Sequence, residues 1–365
     1  MKALTVGGAM LDTIAIIADD RIERMTMLNA DTSFLLLEEG RKTEAVEIST
    51  HVGGGAVNAA VAMSRLGFDV ATLVKLGRDQ RAETILAQLM REGISTRWVR
   101  RDGRAPTGAS VLVSSHDRNA AIFTFRGANT LLEETDLRDE AFGVDVVYVS
   151  SLSNESADTF PAIVGRAKAQ GALVAANPRV RQLSSRGPAF QEVLGKIDIL
   201  AINRSEADVL VPALVSRFGE GGRSLPLAPG ETPPRLAARG LVGGGHEMTL
   251  AAFFDALGRI GPRFVVVTDG RNGAFLGTPE AIYFCPAVLG ASVMGTAGAG
   301  DAFNATFTAY IALARPPEEA LRAATVNAAA VVRHADTQSG LLPCERIAAE
   351  IASQAEQLPV RTWSH

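Results

Sequence analysis

The 365-residue chain predicts an α/β protein: a parallel sheet covered by helices on both faces, with a small separate β-sheet beside it. Three observations carry this expectation. Apolar runs such as VDVVYVSSL (144–152) and RFVVVTDG (263–270) have the composition of strands buried on both faces. They alternate with helical stretches, as in doubly covered parallel sheets. Two other segments, TSFLLLEEG with EAVEIST near 14–50 and a second around 106–126, alternate polar with apolar residues and expose one face. They do not fit the buried sheet and read as a lid.

The order along the chain follows from local signals. ALTVG (3–7) is a first strand ending in glycine. AVNAAVAMSRLG (56–67) places Ala56, Ala59, Ala60, Met63 and Leu66 on one helical face, with Gly67 closing it. VATLVKLG (70–77) returns as a strand and AETILAQLMREG (82–93) as a helix. GASVLVSS (108–115) and NAAIFTFRG (119–127) are lid strands. SADTFPAIVGRAKAQG (156–171) reads as a helix, ALVAANP (172–178) and IDILAIN (197–203) as strands, and GAFLG (273–277) as a short segment after 263–270. Helices dominate from Ala299 to Gln357. Residues 219–245 hold eight glycines and four prolines and read as a flexible insertion. No internal repeat is evident.

Composition excludes several classes. The net charge of −4 and the lack of a Lys/Arg-rich run argue against nucleic-acid binding. No apolar run reaches the roughly 18 residues of a membrane span, and the apolar N-terminus is broken by two glycines and Asp12. The two cysteines, Cys285 and Cys344, form no CxxC pair. A cytoplasmic protein with a small-molecule substrate and no membrane or nucleic-acid partner is expected.

The chemistry concentrates in five segments. GTAGAGDAFNATFTAYIAL (295–313) runs from a glycine-rich turn straight into a helix. The N–H groups around Ala299 and Gly300 lie at a helix N-terminus, where an anion is favoured. Asp301, in the first turn, is placed to accept a proton from an attacking hydroxyl. HVGGGAVNAAVAMSRLG (51–67) opens a helix with three glycines and places Asn58, both donor and acceptor, one turn in. Its GxGxxN spacing lacks the third glycine of a dinucleotide fingerprint. Asp12 follows the first strand, at a carboxyl end where ligands bind. In NRSEAD (203–208), Asn203 and Glu206 have the spacing of a capping box and also of two groups acting through water on Mg²⁺. In VTDGRNGAF (267–275), Thr268, Gly270 and Gly273 form a strand-end turn suited to phosphates or to a tight hairpin. No Walker-type GxxxxGK[ST] is present.

In this order the five segments resemble the ribokinase-like (PfkB) carbohydrate kinases over about residues 3–343. GAGDAF (298–303) is the most specific piece, supported by GGGAVNAAVAMSRLG (53–67). RGANTLL (126–132) is similar to the GAN stretch of ribokinase. The resemblance implies a three-layer α/β/α domain spanning 1–365 with a β-sheet lid. It implies transfer of the γ-phosphate of ATP to a hydroxymethyl group of a sugar or sugar-like metabolite. Asp301 would then be the base, and Ala299 and Gly300 part of the anion hole. Asp12, Gly54 and Asn58 would hold the acceptor. Asn203, Thr268, Gly270 and Gly273 would contact ATP, with Asn327 of ATVNAAAVV beside the adenine. Glu206 would hold Mg²⁺ through water. Pairing through the lid would give a homodimer, with Phe34, Leu35 and Leu37 on the covered face.

One departure matters. Gly295 stands where the family usually carries an aspartate that helps bind a monovalent cation, which puts dependence on K⁺ in doubt. A nucleoside kinase shares the fold and the base. A catalytically silent binding protein of the same fold has Gly295 as its only support, and Asp301 argues against it. A dinucleotide oxidoreductase fails on the broken fingerprint.

Overall fold

The structure, a computed structural model, describes residues 1–18, 23–26, 33–36, 40, 42–114, 120–226, 232–288, 290 and 293–364. Among these, a ten-stranded sheet runs in the order Arg361–Ser364, Ala281–Cys285, Ala274–Gly277, Phe264–Thr268, Ile199–Asn203, Leu173–Ala176, Val146–Val149, Lys2–Gly7, Asp69–Leu76 and Arg100–Arg101. The strands from Phe264–Thr268 to Arg100–Arg101 are parallel. The last three on the opposite edge are antiparallel. The sheet is therefore mixed where an all-parallel one is expected from sequence. The reversal starts at the turn 269–273, closed by Asp269 N–H donating to Gly273 O at 2.8 Å. A second tight turn, in which Thr278 Oγ1 bonds both the N–H and the carbonyl of Ala281, lets the chain double back again.

Alternation along each strand splits the core into two layers. Ala3 joins the cluster with helices Gly55–Arg65, Ala299–Ala312 and Pro317–Val331. Leu4 and Val6 join the other, with helices Phe160–Ala169, Arg204–Phe218 and Leu250–Ile260. The first layer is rich in alanine, including Ala302, Ala305, Ala309, Ala320, Ala323 and Ala324, all buried. Small side chains let the helices Ala299–Ala312 and Pro317–Val331 pack closely over the sheet. The expected three-layer α/β/α arrangement is thus present.

The lid is a four-stranded sheet in the order Ala45–Gly53, Met10–Ile17, Gly108–Ser114 and Ala120–Phe125. A hairpin pairs Glu23–Thr26 with Ser33–Leu36. Leu37 and the side chains of Phe34 and Leu35 lie outside the described residues. Register places Asp12 opposite Ser110 and His51 on one lid face. The opposite face carries Val111 paired with Phe123, Ala109 with Phe125, and Ile48 with Ala15. Val46, Ile48, Val111, Phe123 and Phe125 are all exposed there, Ile48 to 68% and Phe123 to 61%.

The described part of 219–245, expected as a flexible insertion, is anchored to the core. Leu225, Leu236 and Leu241 are buried with Met248 in the second core layer. Leu241–Gly243 pairs with His246–Met248, and Trp363 Nε1 donates to Pro226 O at 2.7 Å. Glycine and proline content registered turns here, whereas the leucines between them supply the anchors. Among the described residues no helix is long and apolar enough to cross a membrane.

Candidate active site

Asp301 sits where the sequence places it, in the first turn of helix Ala299–Ala312, and is 5% exposed. The helix starts because Gly298 adopts a left-handed conformation, φ 79°. A Cβ there would stand 2.6 Å from Thr337 Cβ, so only glycine fits. Gly300 is different. A Cβ on it would meet nothing within 4 Å, so the space over the helix N-terminus is open. The Ala299 N–H makes only a long 3.4 Å bond to Thr296 O, and with the dipole end and the open space at Gly300 this helix start can cradle an anion.

Asn58 holds Asp301. Its Nδ2 donates to Asp301 Oδ2 at 2.8 Å. Its Oδ1 accepts from Thr337 Oγ1 at 2.9 Å and from Gln338 Nε2 at 3.1 Å. With 3% exposure and its carbonyl doubly engaged, Asn58 is built to orient the carboxylate. Beside its expected role as an acceptor contact, Asn58 thus holds a positioning bond to Asp301. Thr337 and Gln338 were not singled out from the sequence; they lie in a turn with no catalytic motif.

Asp12 and Gly54 are gathered beside Asp301. Ser110 Oγ hydrogen-bonds Asp12 Oδ1 across the lid. Burial raises the Asp12 pKa, Ser110 works against that rise, and the nearby Asp301 charge adds to it. Asp12 thus faces the site with one hydroxyl donor, Ser110, and with His51 across the strand pair. A Cβ at Gly53 would meet Asp12 Oδ2, so the glycine leaves the Asp12 carboxylate its present place. Two further hydroxyls had no sequence signal. Ser150 Oγ is buried with no hydrogen-bond partner among the described residues, and the Cβ position of Gly55 lies 3.0 Å from it and 3.5 Å from Asp301 Oδ1. Tyr148, fully buried, also has an unpartnered hydroxyl, and burial followed by the Asp301 charge raises its pKa.

The nucleotide-side residues divide. Asn203 and Glu206 form the capping box: Asn203 Oδ1 accepts from Glu206 N at 2.9 Å, and Glu206 Oε2 accepts from Asn203 N at 2.8 Å. Thr268, Gly270 and Gly273 lie together at the end of Phe264–Thr268, with Gly270 at φ 53° and Gly273 at φ 97°. Asp269 N–H donates to Gly273 O at 2.8 Å and closes this turn. Asn327 is a correction. It is 0% exposed, donates to Thr306 Oγ1 at 2.7 Å and accepts from Leu342 N at 2.9 Å. It ties helix Pro317–Val331 to its neighbour and has no surface for an adenine. Asn129 is structural too, with its amide paired at both ends to the backbone of Ala9.

The model of the pfkB family of carbohydrate kinases matches residues 23–344. The chain belongs to that family. Deoxyribokinase of Salmonella typhi is 26% identical over 331 residues, covering 89% of this chain and 94% of that one. The 2-dehydro-3-deoxygluconokinase of Bacillus subtilis is 24% identical over 342 residues, covering 92% and 97%. A ribokinase from Thermotoga maritima shares the fold, with a TM-score of 0.69 at 20% identity over 96% of this chain and 99% of that one. This pfkB kinase is an ATP-dependent sugar kinase, and Asp301 and its glycine cradle occupy the carboxyl end of its parallel sheet.

Proposed function

We propose that this kinase activates a hydroxymethyl group of its sugar acceptor with Asp301 as general base. The observation that carries the reading is the buried carboxylate, held by Asn58, beside the open helix N-terminus at Gly300. As the acceptor O–H bond breaks, the proton goes to Asp301 and the oxygen forms a bond to the γ-phosphorus. The bond from that phosphorus to the bridging oxygen breaks, and ADP leaves. Backbone N–H groups of Ala299 and Gly300 stabilise charge on the transferring oxygens. Asp12 and the backbone at Gly54 orient the acceptor. Thr268, Gly270 and Gly273 receive the nucleotide, with Asn203 at the phosphate end. An ADP-release assay with Mg-ATP across neutral sugars, sugar acids, sugar phosphates and nucleosides tests the reading. Phosphorylation of a nucleoside in preference to every sugar would refute it.

Glu206 fits Mg²⁺ held through water. It is 3% exposed, with Oε2 donated to by Asn203 N. Burial raises its pKa against the pull of the Asn203 N–H and Arg179. A hard dication nearby would offset that cost, and carboxylate oxygen is the donor it prefers. Bound Mg²⁺ neutralises charge on the phosphate oxygens.

Asn58→Ala is expected to lower kcat by about 10–100-fold with a smaller change in acceptor KM, because it frees Asp301 from its orientation. Steady-state kinetics decide: a raised acceptor KM at unchanged kcat would return Asn58 to direct acceptor binding.

The apolar lid face supports a homodimer in which two lids cover each other. Val46, Ile48, Val111, Phe123 and Phe125 lie on the side away from Asp12, and an exposed patch of this kind marks an interaction surface. Phe123→Glu is expected to shift a dimer to monomer in sedimentation at micromolar protein. A wild type that sediments as a fully active monomer would defeat the pairing.

K⁺ is expected to matter little. The Cβ position of Gly295 lies 3.5 Å from His334 O and 3.6 Å from Ala335 O, so neutral oxygens gather there without a carboxylate. Asp336 does not replace it freely. Its Oδ1 accepts from Gln338 N and Ser339 N at 2.8 Å, bonds that outweigh burial and lower its pKa. Losing one charged ligand removes much of the attraction for a hard cation. Turnover in metal-free Tris, then with KCl at constant ionic strength, should stay flat; a rise of about tenfold would show a working site.

A further inference from the structure

The arginines at the mouth of the site bear on which sugar enters it, an inference that rests on the kinase reading above. Arg179 lies three residues past strand Leu173–Ala176, at the carboxyl end of the parallel sheet where ligands bind. Its Nη2 is 3.7 Å from Asp301 Oδ1, too long for a direct hydrogen bond, and its side chain is 60% exposed. Arg126 follows the lid strand Ala120–Phe125 and is half-buried. Its Nη1 donates to the buried Ser153 Oγ at 2.8 Å, which fixes one edge of the guanidinium. Ser153 itself follows Val146–Val149, the strand next to Lys2–Gly7 that leads to Asp12. Arg126 therefore stands on the acceptor side of the sheet. The candidate nucleotide turn at Thr268–Gly273 lies beyond Leu173–Ala176 and Ile199–Asn203 on the other side.

These cations are not matched by the protein. Among the described residues no carboxylate lies within ion-pair distance of Arg126 or Arg181, and Arg179 has Asp301 alone. Burial first, then the like charges of Arg181 and Arg179, lower the pKa of Arg126. The acidic groups facing Arg179 are Asp301 and Glu206, which the proposed chemistry assigns to proton and metal. A neutral sugar offers hydroxyls, which Asp12 and Ser150 can serve, and gives no reason to gather uncompensated guanidinium groups. A carboxylate or phosphate ester does, because guanidinium matches both in bidentate geometry.

We propose that Arg126 and Arg179, with Arg181 adding charge behind them, form an anion subsite for the acceptor, and that the acceptor is a sugar carrying a carboxylate or a phosphate ester. The anionic group rests between the lid end of Arg126 and the sheet end of Arg179, and the hydroxymethyl group to be phosphorylated points toward Asp301. Lid closure then depends on the acceptor's own charge, since the two arginines come from the lid connection and from the sheet.

The test compares three acceptors in the ADP-release assay with saturating Mg-ATP: 2-deoxyribose as the neutral arm, 2-dehydro-3-deoxygluconate as the acid arm and ribose 1-phosphate as the ester arm. One charged arm is expected to exceed the neutral arm in kcat/KM by at least about 100-fold, and which one it is identifies the source of the charge. Arg126→Gln and Arg179→Gln should each raise KM for that acceptor by about 10–100-fold, with KM for ATP little changed. Arg126→Lys should recover only part of the loss, because a point charge lacks the planar fork. Equal or better turnover of 2-deoxyribose overturns the subsite and leaves the kinase reading intact. So does a loss confined to KM for ATP, which would place the arginines on the nucleotide. If both charged arms give no ADP while a neutral sugar of the wider panel does, the subsite is overturned and the kinase reading stands. Thermal denaturation of each variant, run alongside, separates a binding loss from a folding loss.

Discussion

Asp301→Asn is expected to lower kcat by about two to four decades, the contribution typical of a positioned general base. The substitution is nearly isosteric. Its amide oxygen can still accept the 2.8 Å bond from Asn58 Nδ2, so the helix start and its neighbours keep their geometry. What is lost is the capacity to take a proton. The glycine cradle is untouched, and ATP affinity measured by titration should be largely retained. Turnover near the wild-type rate on the preferred acceptor would remove Asp301 from the role of base. The residual rate is itself informative, because it reports what the Ala299–Gly300 amides achieve by electrostatic stabilisation alone.

Gly54→Ala should cost about 2–5 kcal/mol of stability. Gly54 sits at φ 99°, which an L-residue rarely adopts, and its new Cβ would lie 2.5 Å from Gly8 O and 2.7 Å from Ala9 Cα. Those are backbone atoms of the link between the first strand and the lid, where no side chain can rotate away. The link also carries Asp12, so acceptor binding should weaken with stability. Gly67→Ala is the control. Gly67 has φ 87° but nothing within 4 Å of its Cβ position, so only the conformational cost of about 1–2 kcal/mol applies. Urea unfolding of the two variants separates the terms; equal losses would show that the close approach to Gly8 and Ala9 is relieved at no cost.

The fold was legible because strand burial and helix periodicity are local. Runs such as VVYV (146–149) and FVVVT (264–268) could only be doubly covered strands, and the glycine turn before Asp301 announced a helix N-terminus with an acid in its first turn. The antiparallel edge was less visible. Ala274–Gly277 and Ala281–Cys285 have the composition of parallel core strands, and their directions depend on two tight turns, 269–273 and the one at Thr278.

Side-chain roles were legible only where a residue's partners are near in sequence. The capping reading of Asn203 and Glu206, three residues apart, was one of the two that their spacing allows, and both its hydrogen bonds are present. Asn58 and Asn327 could not be read that way. Asn58 meets Asp301, Thr337 and Gln338 across 243 to 280 residues, and Asn327 meets Thr306 and Leu342 across helix contacts. An asparagine in a helix carries the same sequence signal whether its amide faces a ligand or a neighbouring helix. By itself, the sequence determined the sheet, the lid, the anion cradle and the acid beside it, because backbone preference and burial act over a few residues. The tertiary structure decided which amides are already satisfied and which charges stand uncompensated. Hydrogen-bond saturation and electrostatic balance are sums over neighbours that only folding brings together.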